Sequence, residues 1–109
     1  MTTNMAWIIL VIAGVLEFVW AAGLKQSEGF TKLGPSVFTL IVMGISFYLL
    51  SQAMRVLPIG VSYTVWTGIG AVGSVIVGYF FFHESLGLVK SLCLLLIIGG
   101  ILGLKFAEG

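Results

Sequence analysis

Charge is the scarcest commodity in this chain of 109 residues, of which only 8% are Asp, Glu, Lys or Arg while 60% are hydrophobic. With a net charge of +1 and no basic run, it offers no electrostatic footprint for nucleic acid or for an acidic partner, so nucleic-acid binding is excluded. The single cysteine, Cys93, lies in the apolar run from Leu92 to Ile98, which rules out an intrachain disulfide and a thiolate metal cluster. It reads as a small apolar filler. Ser, His and Cys form no nucleophilic set, and there is no phosphate-binding loop, so hydrolysis and ATP-driven work lack support. The expectation is a protein that is not an enzyme and uses no metal or cofactor.

What is present is apolar length. A mean hydropathy of +1.21 is more than one small soluble core can absorb, so the bilayer must act as solvent for most of the chain. A span needs about 20 apolar residues to cross roughly 30 Å of hydrocarbon. Four such stretches stand out, at about 5–24, 35–54, 59–82 and 86–104. Between the first two lies a polar loop, Lys25 to Gly34, closed by Pro35 at a helix start. Arg55 and Pro58 mark the second connection, and His83-Glu84-Ser85 the third, read as a solvated cap. Connections this short force adjacent helices antiparallel. The fold class is therefore all-α, with four transmembrane helices in one domain over residues 1–109. A cleaved signal peptide fits the first span poorly, because Met1 to Asn4 carry no basic side chain and a carboxylate sits in the apolar core.

Basic residues near span ends normally set orientation. Arg55 and Lys105 fall on one side of the expected topology, and Lys25, Lys32 and Lys90 on the other, which is hardly a bias. Insertion in both orientations is thus permitted, and two opposed copies would supply what larger transporters obtain from inverted repeats. A homodimer is the natural unit, because four helices enclose little space. A fixed single topology remains open at this level.

Glu17 is the only charged residue between Met5 and Leu24. A carboxylate at that depth is costly unless neutralised, paired or wetted, and so marks a functional site by default. Gly14, Ala13 and Ala21 share its helix face and leave room for a ligand, while Trp20 adds an indole one turn away. The competing reading is a buried carboxyl that merely ties helices together. Trp7 reads as an interfacial anchor. On the third helix Tyr63 and Trp66 offer aromatic faces to a desolvated cation, or else simple packing. Gly68 and Gly70 lower helix propensity and suit either a bend or close packing. On the second helix Thr39, Met43, Ser46, Leu50 and Ala53 form a stripe, whose deepest hydroxyl, Ser46, could bond a binding-site partner, although spacing alone favours a bond back to a carbonyl one turn earlier. Gly99 and Gly103, with Gly100 beside them, form a GxxxG pattern suited to dimer packing.

These residues also carry a resemblance. Ala13 to Trp20, with its central Glu17, is similar to the first helix of the small multidrug resistance family. Trp20-Ala-Ala-Gly-Leu-Lys25, Gly29 to Leu33, Leu57-Pro-Ile-Gly60 and Tyr63 to Ala71 resemble its guanidinium-exporter branch. The resemblance implies an antiparallel, dual-topology homodimer in the bacterial inner membrane, exchanging protons for guanidinium-type cations. It implies that Glu17 of both subunits binds substrate and protons, and that Gly14, Trp20, Ser46, Tyr63 and Trp66 line or order the site. The drug-exporting branch lacks the combination of Trp20 with Ser46. Departures from the branch pattern are Phe18, Val61-Ser62 and Thr64, which bear on fine specificity. A broader quaternary-ammonium exporter, a non-transporting scaffold subunit and a passive cation pore are the alternatives.

Overall fold

The computed structural model describes residues 1–108. Four α-helices account for nearly all of them: α1 (Thr3–Gln26), α2 (Leu33–Ala53), α3 (Ile59–Phe81) and α4 (Leu88–Glu108). Each is long and apolar enough to cross a membrane. Together they form a slab of 41 × 34 × 16 Å.

Local chemistry explains where each helix starts and stops, and why the spans are offset from the hydropathy boundaries. α1 begins two residues earlier than expected because the Thr2 hydroxyl caps it, accepting from the Met5 N–H at 3.2 Å. It runs on to Gln26, where Ser27 closes the end by donating its hydroxyl to the Leu24 carbonyl at 2.6 Å. Glu28, Gly29 and Phe30 then take left-handed backbone angles, a sharp reversal that returns the chain to the same membrane face. In α2, Pro35 occupies the first turn, where its missing N–H has no helical partner to lose. α3 starts directly after Pro58 and ends where the Gly78 carbonyl accepts from the N–H groups of both Phe82 and Glu84. α4 begins at Leu88, two residues late, since the Lys90 ammonium holds the Ser85 carbonyl at 2.9 Å and keeps the preceding segment outside the helix.

α1 is the hub, packed against both α2 and α3, whereas α4 docks on α3 alone. The tightly packed core lies toward the end of the slab that carries the α1 N-terminus, where Ala6, Leu10 and Ala13 meet Leu50, Ala53, Leu57, Val61 and Val65. The stripe read on α2 faces this core: Thr39, Ser46, Leu50 and Ala53 are all buried, with Ser36 continuing it. Little of α4 is shielded from its surroundings. Its apolar residues are covered by lipid or by another chain.

Candidate functional site

Glue between α1 and α3 is supplied by missing side chains. A β-carbon at Gly14 of α1 would lie 2.8 Å from the side chain of Ile69, and one at Gly73 of α3 would overlap the Phe18 ring. Between these two contacts the Glu17 carboxyl rests on the α3 backbone at Gly70, in space that a β-carbon there would take. The helices approach this closely because each glycine makes room for a large side chain of the other helix, as small residues commonly do for packing in lipid.

Glu17 Oε2 is buried and has no hydrogen-bond partner among the described residues. Nor does a basic side chain reach Glu17, since the nearest lysine along α1, Lys25, pairs with Glu84 instead. Trp20 presents a second unmet group, for its indole N–H is buried and unpartnered. An acceptor and a donor thus stand one helical turn apart without internal satisfaction. Buried polar groups are normally satisfied, so such a pair calls for an external partner.

Ser46 acts differently from the expectation. It does not bond back within α2: its hydroxyl donates across to the Ala13 carbonyl of α1 at 2.8 Å and accepts from the Trp66 indole N–H at 3.0 Å. The relay ties α3 to α2 to α1 just one turn before Glu17. Trp66 is consequently buried and fixed. Tyr63 lies at the rim, 56% exposed, with its ring tilted against Trp66 at 5.8 Å. Phe47, which sequence reasoning passed over, completes an aromatic row: its ring is 6.2 Å from Trp20 and 5.6 Å from Trp66. Its position next to Ser46 on the helix was the available signal.

The structure therefore brings Glu17, Gly14, Trp20, Ser46 and Trp66 into one neighbourhood, with Tyr63 at its edge. Gly70 belongs there as the seat of the carboxyl. Gly68 faces away, toward Ile101 of α4, and α3 is an uninterrupted helix through both glycines. Added β-carbons at Gly99, Gly100 and Gly103 would meet nothing within 4 Å, so these residues pack on no part of the described chain.

The third connection has the exposure expected of a solvated cap, with His83 and Glu84 both exposed, and adds an ion pair to it. Glu84 accepts from the Lys25 ammonium at 2.5 Å, with its carboxylate in the space beside Gly78. Lys25 also lies 5.1 Å from the Phe82 ring centroid. That hydrogen bond, followed by the charge of Lys25, holds the Glu84 carboxyl below its ordinary 4.5.

Four spans around an uncompensated carboxylate define a multi-pass membrane protein with a polar centre inside the apolar layer. Its family follows from comparison. The family model described as Small Multidrug Resistance protein matches residues 5–97, and the chain belongs to that family. A protein of Yersinia pseudotuberculosis serotype I (strain IP32953) named guanidinium exporter is 57% identical over 104 residues, covering 95% of this chain and all of the relative. Guanidinium exporters of Citrobacter freundii and Proteus vulgaris are 53% and 52% identical, over 94% and 95% of this chain and 98% and 100% of their own lengths.

Proposed function

We propose that the chain, acting over residues 1–109 as one four-helix domain, is a proton-coupled antiporter that exports guanidinium ion and small substituted guanidinium cations. The observation that carries this reading is the Glu17 carboxyl, buried at Oε2 and unpaired inside a membrane span. Guanidinium is planar with donors around its rim, and a carboxylate accepts such a fork in the geometry it uses for arginine. The aromatic faces of Trp20, Phe47, Trp66 and Tyr63 add favourable surfaces for a desolvated cation. The relay through Ser46 fixes Trp66 and the neighbouring turn of α1, so the site is held in shape before substrate arrives. The names of the relatives support guanidinium as the cargo.

A proton and a cation neutralise the same carboxylate, so each displaces the other. An inward proton gradient then drives cations outward without ATP. The working unit in this proposal is an antiparallel, dual-topology homodimer in the bacterial inner membrane, sharing one site between two Glu17 side chains. The 16 Å thickness of the slab supports it, for one subunit cannot surround a cation on both sides. So does the near-balance of basic residues at the two membrane faces.

Guanidinium exchange in sealed proteoliposomes under an imposed pH gradient tests the reading, with Glu17→Gln and a bulky aromatic cation run in parallel. Gradient-driven guanidinium flux that vanishes in Glu17→Gln is expected. A fully active Glu17→Gln would sink the mechanism, and flux of the bulky cation alone would move the protein to drug export. Dual insertion is read separately from cysteines at Ser85 and Val56 in a Cys93→Ser background. Each is expected to label from both sides of the membrane, and one consistent sidedness would refute opposed copies.

A further inference from the structure

Because α4 packs on α3 and meets α1 only where Lys105 overlies Trp7, α1 and α4 stand as walls over a floor of α3. Cavities of roughly 420 and 350 Å³ lie between them and share Ile69, Ile101 and Leu102, so they merge into one furrow. Its lining is apolar along its length, from Val11 and Phe18 on α1 to Ile76 on α3, and it is open on its outer side. Only one end is charged. There Lys105 lines the furrow with its ammonium 5.1 Å from the Trp7 ring centroid, and the Trp7 indole N–H is buried without a partner.

We infer that this furrow is a binding site for an acyl chain of a glycerophospholipid with an anionic headgroup, which is held at Lys105. Length fits the occupant. The floor runs from Val65 to Val77, twelve helical steps or about 18 Å, slightly more than one leaflet of about 15 Å. Depth and charge agree as well, since Lys105 closes the membrane-spanning part of α4 where a lysine stem lies along apolar surface and its head meets phosphates. This site is separate from the Glu17 neighbourhood, and its occupancy does not depend on which cation is exported.

Native mass spectrometry of the full chain in detergent with equimolar phosphatidylglycerol and phosphatidylcholine tests it. Phosphatidylglycerol is expected to be retained over phosphatidylcholine by about fivefold, the preference one basic residue confers. Lys105→Gln should bring that ratio to about one. Val11→Trp, which fills the furrow, should lower retention of both lipids, whereas Leu96→Trp on the other side of α4 should leave retention unchanged. Equal retention of the two lipids by the unaltered chain, or an unchanged ratio in Lys105→Gln, overturns the proposal. So would undiminished retention in Val11→Trp. Disulfide crosslinks between chains carrying Val11→Cys with Leu102→Cys, in the Cys93→Ser background, would place a second copy in the furrow and overturn it too.

Discussion

The carboxyl of Glu17 occupies the space that a β-carbon at Gly70 would fill. Gly70→Ala must therefore displace either the carboxyl or the α1–α3 pair, and α1 is already pinned on both sides by the contacts of Gly14 and Gly73. Overpacking of this kind costs about 1–3 kcal/mol, and here the strain falls on the carboxyl proposed to bind the cation. Guanidinium flux in Gly70→Ala is expected to fall at least about tenfold, the effect of the lower part of that range. Gly68→Ala is the control, because its β-carbon would meet the side chains of Ile101 and Ile97 on α4, with the flexible Cδ1 end of Ile101 nearest at 2.9 Å, and not Glu17. Equal damage from both would mean that the glycines serve as a bend in α3.

A second prediction concerns the relay from Trp66 through Ser46 to Ala13. Ser46→Ala leaves the Trp66 N–H buried without an acceptor, a loss of about 1–3 kcal/mol. Trp66→Phe removes that donor, so the double variant should be more stable than the sum of the single losses implies. Thermal unfolding of the four proteins in one detergent checks this cycle, and strict additivity would show that the bond contributes nothing.

How much of this was legible in the sequence depends on the range of each interaction. The four spans follow from composition, because hydrocarbon selects apolar length regardless of neighbours. Their ends were offset by a few residues, since Thr2, Ser27 and Lys90 decide them through hydrogen bonds that hydropathy does not register. Glu17 was legible as an isolated charge. The partner of Ser46 was not, for its acceptor lies 33 residues away and depends on how α1 meets α2. Gly70 was legible only as a choice between a bend and close packing, because the Glu17 carboxyl that lies against it comes from the facing helix. The pairing of Lys25 with Glu84, 59 residues apart, was equally out of reach of local spacing.

That ion pair yields a pH prediction. Lys25 depresses the Glu84 pKa in the folded chain below the ordinary 4.5. A depressed carboxylate contributes stability that is fully present above the unfolded value and is lost as pH falls through the folded one. The contribution is therefore intact at neutral pH and disappears only below about pH 4.5. Glu84→Gln should narrow the difference in melting temperature between neutral and acid conditions, and Lys25→Gln should raise the Glu84 midpoint observed by NMR. Both side chains are about half exposed, so the stability effect should be small and weaken further in high salt. An unmoved Glu84 midpoint in Lys25→Gln would show that the contact does not persist in the membrane protein.

Gly99 and Gly103 give the sharpest test of assembly, because a single subunit makes no use of their lack of side chains. Their β-carbon positions are open, so Gly99→Leu with Gly103→Leu should leave the helical content and the α3–α4 packing of the subunit intact. Leucine is also a better helix former than glycine, by about 1 kcal/mol per residue, so any loss cannot be assigned to a weakened α4. If α4 pairs with its counterpart through this surface, two bulky side chains hold the backbones apart and the dimer fraction must fall. Energy transfer between differently labelled subunits, measured across a dilution series in lipid, reads that fraction directly. A dimer that dilutes no more easily than the parent would exclude α4 as the association surface and leave pairing to the open face around Tyr63.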